Sequence, residues 1–148
     1  MPSSFAFNAS CGYFQVSTAV QSEVTGAAIK EILDELNRIR KGIKKSEIDF
    51  AKSFLIKRYP SLFETNSQIT KNLMTMIIHS LPGNYFNTYI EKINSCSLEE
   101  VEEAAQNNIR PEDLIILVAG NKKTIEPQIA ELSNNNYFEL DYLGKEIT

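Results

Sequence analysis

Apolar residues recur along this chain in two rhythms, and one run follows neither. Residues 114–120 (Leu114-Ile115-Ile116-Leu117-Val118-Ala119-Gly120) are apolar or small without a break, set between Arg110-Pro111-Glu112-Asp113 and Asn121-Lys122-Lys123. The run is too short to span a membrane and too β-branched for a comfortable helix. Unbroken apolarity predicts a strand covered on both faces. It is expected to be the central strand of a sheet, with the amphipathic segments upstream as its cover.

Strict alternation marks the N-terminal part. Residues 12–20 place Phe14, Val16, Thr18 and Val20 on one face. Phe5 and Phe7 alternate ahead of them, and Asn8-Ala9-Ser10-Cys11-Gly12 reads as a turn, so residues 5–21 predict a hairpin.

A three-to-four-residue rhythm then takes over. Ala28, Ile29, Ile32, Leu33, Leu36 and Ile39 line one side of a first helix, which Ser22 or Thr25 can cap and Gly42 ends in a left-handed conformation. Ser46 is expected to cap a second helix that turns Ile48, Ala51, Phe54, Leu55 and Tyr59 inward and kinks or ends at Pro60. A third helix over 67–80 turns Ile69, Leu73, Met74, Met76 and Ile77 inward. After a turn over 81–84, a shorter helix over 85–93 is anchored by Tyr85, Phe86, Tyr89, Ile90 and Ile93.

Ser97-Leu98-Glu99-Glu100 is a capping box that opens a helix ending near Asn108. Thr124 is expected to cap a last short helix, with Pro127 tolerated in its first turn, and residues 137–141 alternate weakly as a final edge strand. Strand–helix–strand repeats are missing from this order. It predicts an α+β fold: a largely antiparallel sheet with helices packed on one face, as one domain over 1–148.

The 148 residues, 43% hydrophobic and 23% charged, can bury a core, and there is no low-complexity tract. A net charge of −4 with lysines and arginines dispersed among glutamates argues against a nucleic-acid partner. No apolar run is long enough for a membrane span, and Met1-Pro2-Ser3-Ser4-Phe5 lacks the basic and apolar regions of a signal peptide. The compartment stays open between cytoplasm and periplasm.

Chemistry is sparse. His79 is the one histidine, so no two-histidine zinc motif can be assembled, and it reads as a surface or interface residue. Cys11 and Cys96 lie far apart outside any Cys-x-x-Cys pair and read as two thiols; a disulfide between them is the alternative. No third group orients either cysteine with His79 for nucleophilic work. Glu99, Glu100, Glu102 and Glu103 crowd a helix start, where carboxylates usually serve the dipole and solvent rather than a metal. Ala119-Gly120-Asn121 holds one glycine, which makes a turn and not a phosphate loop. Arg38, Arg40, Lys41, Lys44 and Lys45 read as a solvated helix end. Catalytic and metal residues are therefore expected to be none, and substrate-binding residues stay unassigned.

Several pieces, taken in order, carry a resemblance. Gly12-Tyr13-Phe14-Gln15-Val16-Ser17-Thr18, the helix from Ala28 to Arg40, Ser46-Glu47-Ile48-Asp49-Phe50-Ala51-Lys52, Leu81-Pro82-Gly83-Asn84-Tyr85, Ser97-Leu98-Glu99-Glu100-Val101 and the stretch from Arg110 to Gly120 together resemble the insulinase/pitrilysin zinc peptidases, which include the mitochondrial processing peptidases. In that family two similar α+β domains enclose a peptide chamber. The first binds zinc through an inverted His-x-x-Glu-His motif and a distal glutamate; the second usually holds no metal and helps grip the substrate.

This chain lacks the motif and is similar to the second type, in a form that begins late. The family's substrate-contacting Arg and Tyr have no match here. The resemblance implies a non-catalytic C-terminal portion of a zinc metalloendopeptidase, forming chamber wall and touching the catalytic half and the peptide. Zinc would then sit in that other half and no cofactor in this chain. The alternative it implies is a catalytically dead relative that serves as a structural or assembly subunit. A domain without its leading strand and helix would expose a sheet edge, so self-association is also expected.

Overall fold

The computed structural model describes residues 3–7 and 10–147. The fold is α+β, mostly helical, with one antiparallel sheet of two strands among the described residues. These residues group into two compact units: 17–38 with 110–147, and 3–16 (less 8 and 9) with 39–109.

The alternation near the N-terminus does form a hairpin. Strand β1 (Ser3–Phe7) pairs antiparallel with β2 (Gly12–Val16) in a register that sets Phe5 opposite Phe14. Phe5 packs at 5.0 Å from Phe14 and 6.0 Å from Phe7, between ring centroids, so the aromatic residues supply the cross-strand contacts. The strand stops at Val16, short of Thr18 and Val20. The expected turn falls partly on Asn8 and Ala9, which lie outside the described residues.

Helix α1 (Thr25–Lys41) follows a short 3-10 turn, Ser22–Val24, and keeps the expected face: Leu36 is buried, and Ala28, Ile29, Ile32, Leu33 and Ile39 are half-buried. Neither Ser22 nor Thr25 caps it by a side chain; the 3-10 turn leads straight into it, and Val24 donates to the Gln21 carbonyl. Gly42 ends it at φ 148°, a backbone angle open to glycine but not to residues with a Cβ.

In the first unit α1 meets α6 (Lys122–Ser133) through one side chain. Gln128 accepts from the Gly26 backbone N–H through Oε1 at 2.8 Å. Its Nε2 donates to the carbonyls of Ser22 at 2.9 Å and Thr124 at 2.7 Å. A Cβ at position 26 would lie 3.0 Å from the Gln128 Cβ, so glycine permits this close approach.

Helix α6 starts earlier than Thr124 would place it. Asn121 is the cap, its Oδ1 accepting from Lys123 N–H at 3.1 Å, and Pro127 therefore lies inside the helix and not in its first turn. The helix ends on Asn134, left-handed at φ 52°. Residues 137–141 form no strand. They contribute a single bridge, Leu140 to Glu146, across a turn in which Asp141 Oδ1 accepts from Leu143 and Lys145 N–H groups.

The clearest departure is residues 114–120. They are extended after a 3-10 turn, Pro111–Asp113, but belong to no sheet. Ile115 is 95% exposed and Leu117 80%. Continuous apolarity reports that a segment needs covering on two sides; it does not supply the neighbouring strands, and the one sheet among the described residues pairs only β1 with β2.

The second unit carries α2 (Lys45–Arg58), α3 (Asn66–Ile78), α4 (Tyr89–Ser95) and α5 (Leu98–Asn108). Helix α2 is capped at Lys44, whose N–H donates to Glu47 Oε2 at 2.9 Å, so Ser46 is inside the helix and does not cap it. Ile48 is buried as expected, while Ala51 and Phe54 are exposed. Pro60 ends the α-helix and opens a 3-10 turn, Tyr59–Phe63.

Around that turn Tyr59, Phe63, Tyr85, Phe86 and Tyr89 form an aromatic cluster. Tyr59 stacks on Tyr89 at 5.1 Å, Phe63 meets Phe86 edge-on at 5.2 Å, and the Tyr59 hydroxyl donates to the Phe86 carbonyl at 2.6 Å. Burial, with Tyr85 nearby, raises the Tyr89 phenol above its ordinary value, against the pull of Arg58.

The capping box at Ser97 is present in full. Glu100 N–H donates to Ser97 Oγ at 3.1 Å, and Ser97 N–H donates to Glu100 Oε2 at 2.7 Å. A Ser97→Ala variant is expected to lose about 1 kcal/mol by removing one of these acceptors. Urea denaturation read by circular dichroism checks it, and an unchanged midpoint would show that the cap contributes nothing here.

Candidate functional site

Helix α3 begins with a second capping box: Gln68 N–H donates to Thr65 Oγ1 at 3.2 Å, and Thr65 N–H donates to Gln68 Oε1 at 2.9 Å. That start fixes the rotation of the helix. Ser67, Lys71, Thr75 and Ile78, with Thr70 and Met74 beside them, then share one side at three- and four-residue steps. This side, His79 and Phe7, at the end of β1, line a shallow open groove of about 590 Å³. Phe7 is 70% exposed and Met74 54%, so apolar surface lies open to an incoming chain.

The helix does not bury the residues expected to turn inward. Ile69, Leu73, Met74 and Ile77 are exposed, and only Met76 of that set is half-buried. Apolar residues fall around most of α3, and the helices packed nearby cover only part of its circumference.

The groove offers one imidazole, one ammonium group, three hydroxyls and three apolar side chains. No carboxylate or thiol is among its described lining residues. Such a set can hold a peptide segment by apolar contact and by hydrogen bonds to Lys71 and the hydroxyls. It does not supply the paired acid and base or the ligand set of hydrolytic chemistry.

Several of the other candidates have local partners. Glu100 serves the Ser97 cap, and Glu102 accepts from Ile43 N–H at 3.0 Å, fastening the loop after α1. Glu99 is held below the ordinary carboxylate value by its own backbone N–H and the Ser97 hydroxyl. Arg38 pairs with Glu35 at 2.8 Å on the helix surface. Cys11 and Cys96 are both free thiols, the first exposed; Lys52 Nζ donates to the Asn94 carbonyl at 3.0 Å, beside Cys96.

No group of three or more histidine, cysteine, aspartate or glutamate side chains is placed to hold a metal among the described residues. No helix among them is long and apolar enough to cross a membrane. Sequence reasoning missed the groove because it depends on Phe7 and α3 lining a common space; the Thr65-x-x-Gln68 signal was its one legible part.

Comparison with known proteins adds kinship. No family profile matches the sequence. Over 112 residues, 76% of this chain, it is 30% identical to the non-peptidase homolog YmxG of Helicobacter pylori (strain ATCC 700392 / 26695). The chain is thus similar to a protein whose name sets it beside peptidases without making it one. The match spans 25% of that relative's length.

Proposed function

We propose that this chain is part of a catalytically inert relative of the insulinase/pitrilysin peptidases and serves as a structural or assembly element. The observation that carries the reading is its 30% identity to a non-peptidase homolog over three-quarters of its length. The donor inventory agrees with it: one imidazole, and thiols and carboxylates engaged locally or standing apart. A second reading is favoured by the open groove of Phe7, Met74 and Ile78. There the chain is the wall of a peptide chamber whose zinc-activated water is supplied by another domain or subunit.

Both readings give this chain no zinc and no hydrolysis of its own. Purified residues 1–148 with added zinc are expected to leave unfolded casein and fluorogenic peptides intact, with metal analysis finding far less than one zinc per chain. Chelator-sensitive cleavage by the pure chain would overturn both. The full product of the gene separates them: an inert full-length protein supports the assembly role, and one that cleaves peptides until zinc is removed supports the chamber wall.

A further inference from the structure

We propose that residues 114–120 are a pairing strand for a second copy of this chain, joined antiparallel about Leu117. The ground is the backbone as much as the side chains. Among the described residues, no N–H or C=O group of Leu114 through Gly120 has a hydrogen-bond partner in the chain, so the backbone of the segment is left without a ladder. Seven consecutive residues, five of them leucine, isoleucine or valine and none charged, then stand as a ready template for strand addition.

The exposure is uneven in a way that fits pairing. Ile115 and Leu117 are 95% and 80% exposed, whereas on the opposite face Leu114 and Val118 are half-buried and Ile116 is 51% exposed, so the first face is the more open of the two. Ile115, Leu117 and Ala119 share the open face. Two copies paired with Leu117 opposite Leu117 would put Ile115 opposite Ala119 twice and join those residues into one apolar stripe across the pair.

Charge chooses the direction. The segment is entered through Glu112 and Asp113 and left through Lys122 and Lys123. Antiparallel pairing about Leu117 brings the acidic turn that precedes the segment in one copy toward the lysine-bearing start of α6 in the other. Parallel in-register pairing stacks like charge on like at both ends. The local pair of Arg110 with Asp113 is exposed on both sides and opposes this little, while Lys122 is already paired with the part-buried Glu139, which leaves Lys123 to meet the acidic turn of the other copy. The contact is self-complementary and closes as a two-fold dimer. It stands whether or not the chain is inert, since it uses none of the groove residues.

Light scattering on a sizing column tests the state. The expected mass is twice 16.7 kDa at high concentration, falling toward 16.7 kDa on dilution. The double variant I115K/L117K is expected to run as a monomer throughout with an unchanged helical circular-dichroism signal, since both side chains project into solvent. A wild-type monomer at millimolar concentration overturns the proposal. So does a dimer that survives I115K/L117K, which would place the contact elsewhere, for example on the exposed residues of α3.

Direction is read by crosslinking. In a C11S/C96S background, chains carrying I115C are mixed with chains carrying A119C and oxidised. Antiparallel pairing yields the mixed disulfide in preference to either homodimer. Predominant I115C homodimers would show parallel pairing and overturn the register.

Discussion

Replacing Gln128 with leucine is expected to destabilise the protein by about 2–3 kcal/mol, as three hydrogen bonds and their partly buried partners are lost together. Among the described residues, the carboxamide joins the start of α1 to α6 by hydrogen bonds, taking the Gly26 N–H and giving to the Ser22 carbonyl just ahead of the helix. Leucine fills a similar volume, so the loss reports the polar contacts and not a cavity. Equilibrium urea unfolding should show a lower midpoint at an unchanged slope. A loss under about half a kilocalorie per mole would mean that water replaces the amide without cost.

Gln128→Glu sharpens the test through pH. Its carboxyl would keep one acceptor for Gly26 but face two carbonyls where an NH₂ had donated. The ionised form is disfavoured there, so the folded-state pKa of the new group rises above the unfolded value of about 4.3. A raised acid pKa favours the fold fully below the unfolded pKa, and that contribution is lost as pH climbs through the folded one. Relative to wild type at the same pH, the variant should therefore lose least at pH 4 and most at pH 7. A deficit that does not change with pH would argue that the side chain turns out to solvent.

The fold was legible where a signal and its partner lie within a few residues of each other. The α1 periodicity needs only a helix and something apolar nearby; Leu36 and its neighbours found both. Ser97 and Glu100 complete each other locally, and so do the alternating residues of the neighbouring strands β1 and β2. The predicted helix starts went astray by competition between adjacent polar residues. Lys44 with Glu47 won over Ser46, and Asn121 won over Thr124, shifting Pro127 from the first turn into the body of α6.

Distant partners were beyond reach. Gln128 reads as an ordinary polar residue of an amphipathic helix, and its bond to Gly26 spans 102 positions. The run at 114–120 announces a need for neighbouring strands without saying whether this chain provides them. For the site, sequence could count imidazoles and thiols, which already bounded the chemistry. It could not place Phe7 on the same groove as Met74 and Ile78, because that depends on where the end of β1 comes to lie relative to a helix some sixty residues later.

Tyr59→Ala is expected to cost the second unit about 3–4 kcal/mol, and Tyr59→Phe only about 1. The difference separates the ring from its hydroxyl. The ring is held by a stacked contact with Tyr89 at 5.1 Å and an edge contact with Phe63 at 5.3 Å, where α2 gives way to the 3-10 turn at Pro60. The hydroxyl makes one bond, to the Phe86 carbonyl, which keeps partial access to water when the bond is lost. Half-burial of the ring places the alanine variant toward the lower part of the range for aromatic truncation.

Tyr59 and Phe86 share Phe63 as a neighbour, so Phe86→Ala combined with Tyr59→Ala should cost less than the two losses added. If Tyr59→Ala cost no more than Tyr59→Phe, the stacked rings would contribute nothing measurable. Stability in this unit would then rest on Ile48 and the aliphatic faces of α2 and α5, a conclusion that Ile48→Ala would check directly.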